Sequence, residues 1–303
     1  MAYINGTATN YHDLLDTIRT HVEVTLPVLE RWVVLEEVTT GIDRYTIWKA
    51  PGLDGTKEIF MGLRTYESIP SDYYNYEIAG FTGYTPGNTW ETQPGFVSRG
   101  CPLWNGAIPY WIVANGQRLV VVANIESNYV SFHMGFMLPF ATPGQYPYPL
   151  LIGGCLSSSQ PATRYSSTSY NNWWKGYKWQ NGTSGSNTSY STNLLRSIAG
   201  SWGNYEVTAY HLLASGVQRL TRNTIHDSGI QVGYYGLRPL TLATIGGTPY
   251  YYPYIYGDID GLYHISGFNN VTENTIVVDG ITYIVFRDVW RTQFHDYMAL
   301  KAT

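Results

Sequence analysis

Charge is scarce in this chain. Asp, Glu, Lys and Arg make up 13% of its 303 residues, about half the share usual in a soluble domain. A surface so thinly charged fits a protein covered by partners better than a freely diffusing enzyme. The net charge is -4 and no run of Lys or Arg stands out, so the basic footprint of a nucleic-acid-binding protein is absent. No stretch approaches the roughly 18 consecutive apolar residues of a membrane-spanning helix. The opening segment MAYINGTATNYHDLL has neither a basic n-region nor an apolar h-region. It does not resemble a secretion signal, and synthesis in a cytoplasm is expected. Only two cysteines are present, Cys101 and Cys155, far apart in sequence. They are too few for a zinc ribbon or finger. A reducing compartment predicts two free, buried thiols, with a disulfide as the alternative.

Catalytic motifs are equally scarce. The sequence contains no G-x-S-x-G, no H-E-x-x-H, no P-loop and no Rossmann glycine signature. The seven histidines are scattered; His226-Asp227 and His295-Asp296 are neighbours, but adjacent residues on a strand point to opposite faces. Asp258-x-Asp260-Gly261 resembles the start of a calcium loop, yet the twelfth position, where such a loop needs Glu, is Asn269. A plain Asp/Gly turn is expected there. Asn5, Asn181, Asn187 and Asn270 match the glycan acceptor pattern, which carries no meaning without a secretory route. No cofactor, no metal and no enzymatic role are expected.

Aromatic residues, by contrast, reach 16%, with 28 Tyr against 9 Phe. A tyrosine joins a large apolar ring to a polar tip, which suits surfaces buried against partners. The segment YHDLLDTIRTHVEV after Thr9-Asn10 predicts a helix over about Asn10–Glu23. Asn10 supplies the cap, Asp13 favours the positive end of the helix dipole, and Leu14, Ile18 and Val22 form one apolar stripe. Strand signals dominate the rest. Trp32–Leu35 is a short apolar run. Arg44–Lys49 and Glu58–Met61 flank Asp54-Gly55; Ile108–Ala114 and Gln117–Ala123 flank Asn115-Gly116; Thr275–Val278 and Ile281–Phe286 flank Asp279-Gly280. Such dipeptides accept the positive φ angles of tight hairpins. The expected fold is mainly β, sandwich- or meander-like with several hairpins, plus one N-terminal amphipathic helix.

Two stretches break the pattern. Residues 139–154 carry Pro139, Pro143, Pro147 and Pro149, which predicts an ordered, extended segment outside any central strand. Residues 156–193 are rich in Ser, Thr, Asn, Gly and Tyr and carry Trp173, Trp174 and Trp179. A long loop with aromatic anchors is a candidate for ligand or partner contact. The organisation expected is a β-rich core over 1–155, this insertion, and a β-rich continuation over 194–303. The run GGTPYYYPYIYGDIDG over 246–261 is the most unusual. Tyr148, Tyr250, Tyr251, Tyr252, Tyr254 and Tyr256 are interspersed with prolines, so their rings project to different sides of an extended backbone. They are candidate interface residues.

The stretch IPYWIVANGQRLVVVANIESNYVSFHMGFMLPFATPGQYPYPLLIGG over 108–154 resembles a family of uncharacterised virion structural proteins of tailed bacteriophages. So do IPSDYYNYEIAGFTGY over 69–84 and ENTIVVDGITYIVFRDVWRTQFHDYMALK over 273–301. The resemblance implies a tail or baseplate subunit, located in the virion and made in the bacterial cytoplasm. Its partners would be other tail or baseplate proteins and copies of itself in a symmetric ring, with neither nucleic acid nor membrane bound. It implies no catalytic residues. The alternative is a receptor- or glycan-binding module at the tail tip, with Trp173, Trp174 and Trp179 at its binding edge and a host surface glycan as ligand. A polysaccharide-degrading tailspike would need two carboxylates about 5–9.5 Å apart, drawn from Glu91, Glu126, Asp258 and Asp260.

Overall fold

The computed structural model describes residues 1–156, 172–174, 192–208, 236–244, 254–293 and 296–302. The chain is mainly β, with 51% of residues in strands against 11% helical. It divides into two compact units. The first comprises Met1–Phe136, Tyr148–Trp173 and Tyr190–Asn204; the second comprises Met137–Pro147, Trp174–Ser189 and Tyr205–Thr303. Residues 194–204 therefore belong with the N-terminal part of the chain. Among the described residues no helix is long and apolar enough to cross a membrane.

The strands in chain order begin with β1 (Ala2–Ala8), β2 (Val33–Val38), β3 (Tyr45–Ala50), β4 (Ile59–Ser68), β5 (Tyr73–Gly80) and β6 (Val97–Leu103). The long hairpins follow as β7 (Ile108–Asn115), β8 (Arg118–Ile125) and β9 (Asn128–Phe136), then β10 (Leu138–Pro139), β11 (Leu150–Gly153), β12 (Asn193–Arg196) and β13 (Trp202–Gly203). The last are β14 (Glu206–Thr208), β15 (Arg238–Thr244), β16 (Tyr254–Ile265), β17 (Thr275–Val278), β18 (Ile281–Arg287) and β19 (Tyr297–Lys301). One helix, α1 (Tyr11–Thr20), precedes β2.

The first unit holds two antiparallel sheets. One runs β1-β7-β8-β9-β11-β12-β13, the other β2-β3-β4-β5-β6. Strands β7, β8 and β9 are buried along almost their whole length, so successive residues are covered on both faces of the sheet. On one face Phe132 of β9 meets Tyr76 of β5 edge-on, ring centroids 6.0 Å apart. Helix α1 lies on the same side of the five-stranded sheet, where the Tyr76 hydroxyl donates to the Tyr11 carbonyl. The Asn10 side chain caps α1 by accepting from the Asp13 amide at 3.0 Å, and Asp13 in turn accepts from the Thr9 amide at 2.7 Å. Leu14, Ile18 and Val22 are buried together. Past Thr20 the helix widens into one looser turn over His21–Thr25, closed by the Leu26 amide donating to the His21 carbonyl at 3.2 Å.

The second unit is built on the sheet β14-β15-β16-β19-β18-β17, with β10 added against β16. Asp279 and Gly280 take φ of 52° and 77°, the positive pair a two-residue hairpin requires, and Val278 pairs with Ile281 across it.

The other two-residue hairpin is built differently. The turn residues are Gly116 and Gln117, because Asn115 pairs with Arg118 as part of the strands. Gly116 has no positive φ. Asn115 acts from the first turn position, its Oδ1 accepting from the amides of Gln117 and Arg118 at 3.0 and 3.1 Å, as Asn does ahead of an ordinary type I turn. Gly116 is needed for space: a Cβ there would sit 2.1 Å from the Gly52 carbonyl oxygen. The expected Asp/Gly turn at 258–261 is also corrected. These residues lie inside β16, and Gly261 with φ of 72° marks a bulge. Pro239 pairs with Tyr263 and Thr241 with Asp258, so two steps along β15 answer five along β16. An Asp-Gly motif serves equally for a bulge and a turn, since both need one left-handed residue. The proline-rich segment over 139–154 is only partly extended, which corrects the expectation: Pro139 sits in the short strand β10 and Leu150–Gly153 forms β11, but Thr142–Gln145 between them forms a turn.

The turns can be tested through stability. Gly116→Ala should lower unfolding stability by roughly 1–3 kcal/mol through overpacking against Gly52, read as a fall in the urea midpoint. The β8–β9 turn places the exposed Glu126 and Ser127 at φ of 57° and 127°. The double substitution Glu126→Asn with Ser127→Gly should raise stability by about 1 kcal/mol, with the m-value unchanged, by relieving that strain.

Candidate functional site

The candidate tyrosines divide between the two units. In the first, Tyr148 is 46% exposed. It meets Phe136 edge-on at 6.4 Å between centroids, and the Arg196 guanidinium lies 5.1 Å from its ring centre. In the second, Tyr256 is half-buried on β16, with the rings of Tyr205 and Tyr146 at 4.8 and 6.4 Å. Tyr254 lies in β16 too. Tyr250, Tyr251, Tyr252 and Trp179 lie outside the described residues. Trp173 and Trp174 are buried in this structure. The Trp173 ring packs on His133 at 5.0 Å, and its carbonyl accepts from the Asn193 side chain at 3.4 Å. Neither indole offers an open face to a sugar or a partner here.

An apolar edge not marked by the tyrosine pattern stands beside Tyr256. Pro139 of β10 pairs with Gly257, and the Phe140 amide donates to the Tyr256 carbonyl at 3.0 Å. Phe140 thereby lies across from Tyr256 and Leu138 across from Asp258. Leu138 and Phe140, two residues apart, share a face and are 42% and 55% exposed. Asp258 is held by the Thr241 hydroxyl at 2.7 Å. The only sequence signal for this edge was the proline at 139, which marks a strand that borders a sheet.

The densest charged cluster lies on the five-stranded sheet. Arg64 of β4 faces Tyr45 of β3 and Glu77 of β5 in register. Its guanidinium grips Glu77 with bonds of 3.0 and 2.5 Å and Glu91 with one of 2.7 Å. The same guanidinium lies 5.2 Å from the centre of the Trp90 ring. Ser98 donates to the other oxygen of Glu77 at 2.7 Å. Burial pushes the Glu91 carboxyl up, but the Arg64 bond and charge outweigh it and hold the group below its usual range. The chemistry is that of a clasp: Trp90 and Glu91 belong to the loop that follows β5, and Arg64 ties that loop onto the sheet. One guanidinium thus holds both carboxylates. The other acids of the hydrolase alternative lie on two elements. Glu126 occupies a hairpin turn, Asp258 bonds Thr241, and Asp260 lies in β16. Among the described residues no three His, Cys, Asp or Glu side chains converge as metal ligands.

Beside the clasp, Glu36 of β2 accepts from the hydroxyls of Tyr45 at 2.5 Å and Tyr84 at 2.9 Å. The hydrogen bond to Glu36, followed by burial, pushes the Tyr45 phenol up to about 12. No known protein family's model matches the chain, and no curated protein matches it.

The Tyr45 geometry predicts an alkaline titration. A phenol with its folded pKa raised from 10.0 to about 12 contributes stability fully present below 10 and lost as pH rises through 12. The phenolate absorbance difference between the native chain and Tyr45→Phe should therefore show a transition near 12. Glu36→Ala should return it towards 10; a transition unmoved by Glu36→Ala would refute the assignment.

Proposed function

We propose that this chain is a non-enzymatic structural subunit of a bacteriophage tail or baseplate, assembling with copies of itself and with neighbouring tail proteins. The observation that carries the reading is the apolar edge of β10, where Leu138 and Phe140 stand exposed beside Tyr256. Exposed apolar side chains standing together at the border of a sheet form a patch of the kind a partner chain covers. Proteins that remain monomeric blunt such edges with charge, yet this one carries 13% charged residues overall. The sequence pattern over 69–84, 108–154 and 273–301, similar to tailed-phage virion proteins, points the same way. The half-exposed Tyr148 in the first unit supplies a second aromatic contact of the kind subunit interfaces favour.

The test is the double substitution Leu138→Ser with Phe140→Ser. Both side chains are exposed, so the thermal midpoint should stay within about 2 °C of the parent. Self-association, measured by light scattering on a sizing column, should weaken at least tenfold, about 1.4 kcal/mol or more. A parent chain that stays monomeric at high concentration, with the variant incorporated normally into particles, would refute the reading. Normal assembly with lost adsorption to host cells would replace it with a receptor- or glycan-binding module.

A further inference from the structure

Cys101 and Cys155 are 54 positions apart in sequence and meet in space where the chain crosses between the two sheets of the first unit. The crossing is visible in the backbone. Strand β11 runs along β9 with Gly153 opposite His133, a register whose continuation puts Cys155 opposite Ser131. The ladder stops there. The Ser131 amide donates instead to the Cys155 sulfur at 3.4 Å, and the thiol approaches the Ser131 carbonyl at 3.3 Å and the Asn172 side-chain oxygen at 3.1 Å. The backbone of 155–156 has turned away to β6. The Gly100 amide donates to the Leu156 carbonyl at 3.2 Å and the Leu156 amide to the Gly100 carbonyl at 2.9 Å, forming an antiparallel bridge. Gly154 permits the bend, since a Cβ there would lie 2.4 Å from the Gly100 oxygen.

Gly100 and Leu156 exchange both bonds, and the Cys155 amide also donates to the Gly100 carbonyl at 2.8 Å, so Cys155 faces Cys101 as the next pair along this isolated bridge. Facing Cα atoms of antiparallel strands stand about 4.5–5.5 Å apart. That spacing lies within the range, about 4.4–6.8 Å, that a disulfide spans without moving the backbone. Both thiols are free and buried. Burial first, then the neighbouring Cys155 thiol, pushes the Cys101 thiol well above its usual value, so Cys101 rests protonated beside Cys155. Losing the Cys155 proton leaves the Asn172 oxygen paired, because it also accepts from the Ser131 hydroxyl at 2.7 Å.

We propose that Cys101 and Cys155 form a redox-sensitive latch, closed to a disulfide by a low-molecular-weight disulfide of the glutathione type. One cysteine thiolate attacks the reagent's S–S bond, forms a mixed disulfide and releases one reagent thiolate. The second cysteine thiolate then attacks the protein-bound sulfur and releases the other. The two protons lost by the cysteines appear on the two reagent thiols, the protein is oxidised by two electrons and the reagent reduced by two. The bond ties β6 of the five-stranded sheet to the end of β11 in the seven-stranded sheet. The reduced form belongs to a reducing compartment and the closed form to an oxidising one. The inference rests on the fold of the first unit alone and stands whether or not the chain is a tail protein.

The test incubates the full chain with oxidised glutathione, in native buffer and in urea below the unfolding midpoint, where transient opening exposes buried thiols. Reactive thiols counted after denaturation should fall from two to none. Non-reducing peptide mapping should recover the peptides holding residues 101 and 155 as one linked species. The thermal midpoint should rise by about 5 °C or more, as expected for closing a loop of this length. Cys101→Ser and Cys155→Ser, treated alike, should show no such rise. Glutathione adducts without the linked peptide, no reaction in either buffer, or a linked chain that melts below the reduced one would each overturn the proposal.

Discussion

Strand β8 is buried on both of its faces, and the first unit is arranged around that constraint. Leu119, Val120, Val121 and Val122 are all removed from water, and alternate residues along a strand point opposite ways. A sheet with one solvated face cannot hold such a run; both faces must be covered. One is covered from the five-stranded sheet, where Tyr76 meets Phe132 with α1 alongside. The other receives Trp173 against His133. Backbone pairing to β7 and β9 satisfies the strand's own amides and carbonyls, so the apolar run carries little polar cost into the interior.

Coverage on two sides forces the chain to pass between sheets, and each passage interrupts a ladder. At Gly154–Leu156 the interruption is met by a thiol and by three backbone bonds to Gly100. The β7–β8 turn stays within one sheet, and it too is held by residues from outside that sheet. The Gly52 amide donates to the Gly116 carbonyl at 2.7 Å, and Glu30 accepts from the Gly116 amide at 3.0 Å. These substitutes for regular pairing are specific to their residues. The same turn that looks like a free hairpin in sequence is therefore clamped from outside.

The parts legible in sequence are those decided by local chemistry. Asn10 and Asp13 cap a helix wherever they precede an apolar stripe, and they do so here. Asp279-Gly280 forms its turn free of outside contact at the glycine: a Cβ on Gly280 would meet nothing within 4 Å. Asn115-Gly116 has equal local credentials and a different outcome, because contact with Gly52 decides the geometry. Arg118, just after that turn, is fully buried, one guanidinium nitrogen 3.4 Å from the Met1 sulfur. Asp258 and Asp260 read as turn or ligand residues and lie in a bulged strand. In each case the deciding neighbour is distant in sequence, so no window of local pattern contains it.

The same distinction governs the proposed contact surface. Tyrosine content identifies a chain suited to contacts, but not which rings reach the surface. Tyr146 and Tyr148, two residues apart, end buried and half-exposed respectively. Exposure was decided instead by sheet position. Leu138 and Phe140 face outward because β10 pairs through only two residues with β16, too short a strand to gain a further partner within the described sheet. A surface made this way is apolar without being tyrosine-rich, and it is fixed by backbone pairing to the strand behind it. The side chains at 138 and 140 can therefore be exchanged without disturbing the backbone bonds that hold β10 in place, which separates their proposed role in contacts from any role in folding.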